Sequence, residues 1–226
     1  MRLTLPDLLA PHYCISCGQG GAVLCEHCKY DIVSDPFTLC IVCLGIAPAS
    51  GNLCKSCVVP YLRAWCVGDR SDALEKLINA YKFERVGAAD VIFTQLLDET
   101  LPQLPADTIV TYVPTIPSHI RQRGYDHAER IAKRLATLRG LPHVAALSRR
   151  EFTHQRGAGR SERIANAKRA FCARSVERGA SYLLIDDIFT TGATLRYASS
   201  VLLDAGASEV SIAAIARQPL EKSTEI

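Results

Sequence analysis

No stretch of the 226 residues approaches the roughly 18 consecutive apolar residues that a membrane-spanning helix requires. The N-terminus, Met1 to Pro11, holds one Arg and scattered leucines, too short and too broken for a secretory leader. Both absences make a cytoplasmic protein the expectation. Aromatic residues are scarce, at 7%, and between Arg121 and Arg178 only Tyr125, Phe152 and Phe171 occur. Platforms on which successive bases of a single strand would stack are therefore not evident in that stretch. A large charge of one sign is missing too, since the net charge is +3. The 48% apolar and 22% charged composition is that of a soluble globular protein, long enough for one good core plus a small module.

The small net charge hides an uneven distribution. From Arg121 to Arg178 there are 15 Lys/Arg against 5 Asp/Glu, a local +10 that leaves −7 for the rest of the chain. A basic middle suits polyanions, either the phosphates of a small ligand or a nucleic-acid backbone, and it is equally compatible with a solvated surface.

Cysteine is the residue in excess. Eight of ten fall in four CxxC pairs, Cys14/Cys17, Cys25/Cys28, Cys40/Cys43 and Cys54/Cys57, all in the first quarter of the chain. Without an export signal, such pairs are metal ligands rather than disulfides. Each CxxC forms a knuckle offering two thiolates, and two knuckles complete a tetrahedral four-cysteine zinc site. Gly18 and Gly45 supply tight backbone just beyond a knuckle. Sequential pairing gives two zinc ribbons and is favoured; a cross-braced arrangement uses the same residues, and reactive dithiols are the redox alternative. Four sulfurs leave no open coordination place, so a structural role follows rather than catalysis at zinc. Residues 1–60 have too few aliphatic side chains to fold without metal, and with 3 Lys/Arg against 4 Asp/Glu they are no obvious phosphate clamp.

The segment Tyr182 to Thr194 carries the most chemistry. Leu183, Leu184 and Ile185 form the short apolar run of a strand covered on both faces. Asp186 and Asp187 follow at its carboxyl end, where open α/β sheets bind ligands. Thr190, Thr191, Gly192, Ala193 and Thr194 then open a helix marked by Leu195, Ala198, Val201, Leu202 and Ala205, stopping near Gly206. Backbone N–H groups and hydroxyls at such a start suit a phosphate, and the acids a few residues away accept from sugar hydroxyls.

Further elements build an α/β domain around it. Tyr61–Gly68, Thr108–Val113 and Val210–Ala216 read as strands. A helix capped by Ser71 or Asp72 presents Leu74, Leu77, Ile78 and Tyr81, and a second spans Ala88–Leu101. Between Val113 and Tyr125 lies a proline-stiffened loop with Arg121, Arg123 and Gly124, a second candidate anion site. Asp126 and Glu129 form a capping-box variant for the next helix, which ends at Gly140. The basic, glycine-containing segment around Thr153–Phe171 is expected to be a mobile loop with one helical turn capped by Ser161.

The order of strand, two acids and Thr-Thr-Gly-Ala-Thr resembles the fingerprint of type I phosphoribosyltransferases, which bind 5-phosphoribosyl-1-pyrophosphate (PRPP). That resemblance implies that Asp186 and Asp187 hold the ribose hydroxyls at the reacting sugar and that Thr190, Thr191, Gly192, Ala193 and Thr194 hold the 5-phosphate. The whole chain, in order, resembles the ComF family, competence-type proteins joining a cysteine-rich zinc module to a phosphoribosyltransferase-like domain. Val113, Pro114, Pro117, Arg123, Gly124 and Tyr125 carry the likeness in one loop, and Gln155, Arg163, Asn166 and Phe171 in another segment. Asp126-His127 stands where the family has Asn-Gln, and Ala158 where a Leu is usual.

The fold so implied is a Rossmann-type parallel sheet over residues 61–226, after a zinc module over 1–60, with a basic flap near 149–178. Arg121, Arg123 and Gly124, with Gln155 and Arg163 of the flap, would face the pyrophosphate, with Mg²⁺ bridging ligand oxygens. The implied role is natural competence and DNA uptake. Two functions remain open at this point: phosphoribosyl transfer from PRPP, or a non-catalytic competence factor binding single-stranded DNA or other competence proteins. The tail after Arg217 is too short for an elaborate base-binding hood, so no acceptor is identified.

Overall fold

The computed structural model describes residues 13–70, 72–83, 89–149 and 170–219. Its centre is a four-stranded, all-parallel sheet in the order β1 (Arg63–Asp69), β6 (Glu209–Arg217), β5 (Ser181–Phe189), β2 (Ile109–Tyr112). Side chains alternate across each strand, so the sheet sorts its apolar residues onto two faces. Trp65, Val67, Val110, Leu183, Ile185, Ala213 and Ile215 share one face. Ala64, Cys66, Ile109, Tyr182, Leu184, Ile212 and Ala214 share the other. Both faces are buried, which is why the strands read as continuous apolar runs.

Three helices cover the first face: α2 (Asp72–Phe83), α3 (Ala89–Thr100) and α5 (His127–Arg139), through Leu77, Phe93, Leu96, Leu97, Ile131 and Leu135. Arg139, in the last turn of α5, caps α3: its guanidinium donates to the Asp98 carboxylate at 2.7 Å and to the carbonyls of Asp98, Leu101 and Pro102. These are carbonyls a helix end leaves without intrahelical donors. The second face is covered by α6 (Ala193–Asp204) and a small antiparallel ribbon of β3 (Leu147–Arg149) and β4 (Phe171–Ala173).

The cysteine-rich segment straddles the β1 edge of the sheet. Cys14, Val23, Leu24, Cys25 and Cys28, with helix α1 (Glu26–Ser34), join the core on the first face. Phe37 and Ile41 join the core on the second. Between them Asn52 serves the outer side of β1. Its N–H donates to the Ala64 carbonyl at 2.7 Å, and its side-chain oxygen accepts from the Cys66 N–H at 2.9 Å. Edge groups that would otherwise be unpaired are thereby satisfied.

Most expected elements are present with ends moved by a residue or two. Asp126 caps α5, its carboxylate accepting from the N–H groups of Ala128 and Glu129, and Gly140 closes that helix with φ 65°. Asp72 proves to be the first residue of α2 rather than its cap, and Ser71 lies outside the described residues. The expected loop after β2 contains a helix, α4 (Pro117–Arg123). Pro117 occupies the first turn, where its missing N–H costs nothing, and Gly124 ends the helix at φ 89°. The ribbon β3–β4 and helix α1 were not expected.

Candidate functional site

Because β2 and β5 are parallel neighbours, the segments that follow them leave from the same end of the sheet. β5 runs on to Phe189, so Asp186 and Asp187 are its late residues rather than the start of a loop. Alternation sends their side chains to opposite faces. Asp187 meets Lys82, the penultimate residue of α2, with 2.5 Å between Oδ2 and Nζ. Asp186 accepts from the Asp187 N–H at 2.9 Å. Its pKa is pushed well above the ordinary carboxylate range, first by withdrawal from water and then by the Asp187 charge. The Asp187 amide, Lys82 and Arg149 oppose that shift without cancelling it.

The turn after β5 depends on glycine. Gly192 has φ 74°, and the Phe189 ring occupies the space that any Cβ there would need. Thr190, Thr191 and Ala193 are exposed along the crest and Thr194 is half-buried. The Thr191 hydroxyl accepts from the Ala193 N–H at 3.4 Å. Helix α6 starts at Ala193, so its first N–H groups, which have no intrahelical acceptors, aim at the end of β5.

The segment after β2 is held inward. Asp126 accepts from the Thr115 N–H at 2.7 Å and its hydroxyl at 3.0 Å, besides capping α5. His127, 1% exposed, places Nε2 3.2 Å from the Tyr81 carbonyl and Nδ1 3.4 Å from the Arg123 guanidinium. Burial, then the Arg123 charge, lowers its pKa, so the ring is neutral. The Tyr125 hydroxyl donates to the same Tyr81 carbonyl at 3.0 Å. The Asp-His pair is thus structural, fastening the end of α2 to the Arg123 segment. Arg121, in the last turn of α4, is exposed.

Two cations of the site escaped the sequence reading. Lys82 sits in the Tyr-Lys-Phe segment that closes α2, where the local pattern shows only a helix end. Arg149, at the end of β3, lies with its guanidinium 5.2 Å over the Phe171 ring, its pKa lowered by burial and supported by Asp186 and Asp126. Gln155 and Arg163 lie outside the described residues, as do Ser161, Asn166 and Ala158. The described residues on either side of that stretch are paired, Arg149 opposite Phe171. Part of the basic excess is already engaged: Arg130 and Arg134 pair with the buried Asp90, and Arg139 with Asp98.

The eight cysteines form two groups, Cys14/Cys17/Cys25/Cys28 and Cys40/Cys43/Cys54/Cys57, with all sulfurs of each group within 4.8 Å of one another. This is the sequential grouping, not the cross-braced one. A tetrahedral zinc with Zn–S bonds of ~2.3 Å spaces its sulfurs ~3.8 Å apart. Cys17 and Cys25 are 3.7 Å apart, Cys40 and Cys57 3.8 Å, and Cys43 and Cys54 3.6 Å. Burial would raise the Cys14 and Cys40 thiols, but surrounding backbone N–H groups outweigh it and bring both down to about 6. Sulfur geometry and amide donors both fit a structural metal.

Residues 120–225 match the family model described as the phosphoribosyl transferase domain. The chain is also similar along most of its length to three curated proteins. These are competence protein ComFC of Streptococcus pneumoniae (26% identical; 90% of this chain, 99% of that one), competence protein F of Haemophilus influenzae (27%; 86% and 90%) and DNA utilization protein YhgH of Escherichia coli (26%; 86% and 96%). Among the described residues no helix is long and apolar enough to cross a membrane.

Proposed function

We propose that this chain, which matches the phosphoribosyl transferase domain over residues 120–225 and is similar along most of its length to ComF-type competence proteins, binds PRPP or a related phosphoribosyl ligand at the end of β5. One observation carries this reading: adjacent carboxylates on β5 are followed within a few residues by a glycine-dependent turn into a helix N-terminus. The first N–H groups of α6 and the Thr190, Thr191 and Thr194 hydroxyls take the 5-phosphate, with Gly192 and Ala193 providing close backbone approach. Asp186 and Asp187 accept from the ribose hydroxyls. Arg121, Arg123 and Gly124, across the same end of the sheet, face the pyrophosphate, and Gln155 and Arg163 belong to the covering flap. Asp186 and Asp187 would offer hard oxygen donors to a Mg²⁺ carried with the pyrophosphate, and that ion would offset the ligand's charge. If turnover follows, the protein's share is positioning and stabilisation of the departing pyrophosphate.

The cellular role we infer is in DNA uptake and use, supported by the similarity to competence and DNA utilization proteins. A second reading, single-stranded DNA binding by the basic stretch, is favoured by its local excess of +10. Titration with PRPP–Mg²⁺ and, separately, with single-stranded DNA decides between them, on wild type and on Asp186→Asn/Asp187→Asn. The double variant is expected to lose PRPP binding. PRPP affinity equal to wild type would refute the site. Loss of DNA binding together with PRPP binding would mean that the two ligands share or couple their sites.

A further inference from the structure

We propose that Lys82 is a pyrophosphate-binding residue held in reserve by Asp187, an inference that rests on the PRPP reading of the β5 end. Its ammonium lies 2.5 Å from Asp187 Oδ2, the two side chains 17% and 20% exposed. The pair is therefore sheltered but reachable from solvent. It offsets one charge of the two adjacent carboxylates, of which Asp186 is raised first by burial and then by the Asp187 charge.

A ribose whose hydroxyls dock on Asp187 competes for the same carboxylate oxygens and displaces the ammonium. The C1 substituent of that sugar is attached to the carbon next to the 2-hydroxyl. The flexible four-carbon stem of Lys82 needs only a short swing to exchange a carboxylate for the phosphate at C1.

The end of α2 is built to hold this lysine at a fixed place. The Tyr81 carbonyl takes the His127 ring nitrogen at 3.2 Å and the Tyr125 hydroxyl at 3.0 Å. The Tyr81 ring packs against Tyr125, His127 and Phe93, with centroids 5.6, 4.6 and 5.5 Å away. His127 also contacts Arg123, so Lys82 and Arg123 are carried by one rigid unit from two different helices. That unit ties the two cations together, Lys82 in direct contact with Asp187 and Arg123 joined to it through His127 and the Tyr81 carbonyl. The consequence is selectivity. A sugar with an anionic group at C1 recovers the broken ion pair, whereas one bearing only the 5-phosphate does not.

Calorimetric titration of the full-length protein with PRPP–Mg²⁺ and with ribose 5-phosphate, on wild type, Lys82→Gln, Lys82→Arg and Asp187→Asn, tests this. Lys82→Gln is expected to weaken PRPP by on the order of tenfold or more, the scale of one charge-assisted hydrogen bond. Ribose 5-phosphate affinity should be unchanged or improved, and Lys82→Arg should keep most of the preference for PRPP. Equal PRPP affinity in wild type and Lys82→Gln, with Asp187→Asn impaired, would overturn the Lys82 assignment alone. Equal weakening of both ligands in Lys82→Gln would also overturn it, because Lys82 would then only position Asp187. Failure of wild type to bind PRPP would overturn the site reading itself. Should Lys82→Gln unfold, an arginine variant without preference for PRPP refutes the proposal.

Discussion

The two four-cysteine clusters have the same ligands and similar sulfur spacing, yet they are tied to the molecule in different ways. The first, around Cys14 and Cys25, packs by apolar contact into the core shared with α2 and α3, with a Lys29–Glu99 ion pair at 2.7 Å beside it. The second, around Cys40 and Cys54, also packs into a core through Phe37 and Ile41, and adds hydrogen bonds to the strands. Arg217, 1% exposed at the end of β6, donates to the Ile41 carbonyl at 2.9 Å. The N–H of the next residue, Gln218, donates to the Phe189 carbonyl at 2.8 Å, and Phe189 is the ring that lies beneath Gly192. A short chain of contacts thus links the second cluster to the turn of the ligand site. The lesson is that a metal held at such a cluster would act through whatever its knuckle carbonyls and flanking residues hold.

The largest effects should come from breaking either cluster, because metal-binding energy in such modules is folding energy. Cys25→Ser and Cys40→Ser should each lose one zinc and lower the unfolding temperature by many degrees. They should differ in where the protein opens. Hydrogen exchange in residues 186–196 should accelerate in Cys40→Ser and stay near wild type in Cys25→Ser. Equal acceleration in both would break the contrast between the clusters.

A smaller change sharpens it. Asn52→Ala leaves every sulfur in place but removes the acceptor of the Cys66 N–H and the donor to the Phe37 carbonyl, both buried. A loss of about 2–4 kcal/mol is expected from two unsatisfied buried groups, measured by denaturant unfolding with zinc content unchanged. A variant as stable as wild type would show that the second cluster does not need this clamp.

The smallest effect concerns the site rather than the clusters, and its sign is opposite. Asp186 has a raised pKa in the folded protein, so its protonated form is the one folding favours. That contribution is fully present below the unfolded value near 3.8 and is lost as pH rises through the folded value. Asp186→Asn, neutral throughout, should therefore unfold at a higher temperature than wild type at pH 8 and at the same temperature near pH 4. Destabilisation at pH 8 would mean that the ionised carboxylate is well accommodated. A carboxylate that costs stability while ligand is absent is what a binding site of this kind requires.

Much of this was legible in the chain because the signals are local. The Leu183–Ile185 run, the acids and the Thr-Gly turn are contiguous, and each implies the next through strand burial and helix-start chemistry. The CxxC spacing is similarly self-contained, although sequence alone left the pairing of the knuckles open. What was missed is either short or distant. Strands of three residues, as in β3 and β4, show no period, and Phe171 finds Arg149 only across a long intervening segment. Pro117 read as a breaker, yet in the first turn of α4 the same ring favours a helix. The Tyr81-Lys82-Phe83 segment counts toward the family likeness, but nothing local gives Lys82 a place in the site, because its partner Asp187 lies on a strand far along the chain. Asp126-His127 departed from the family pattern, and the reason is packing: one caps α5 and grips Thr115, the other secures the end of α2.

The most direct measurement of the central claim is hydrogen exchange read by mass spectrometry, with and without saturating PRPP–Mg²⁺. Ligand on the β5 end should slow exchange in peptides covering residues 186–196, secondarily in those covering 114–126, and leave 13–34 unchanged. Saturation without protection of 186–196, or protection confined to other segments, would contradict the assignment of this strand end as the phosphoribosyl site.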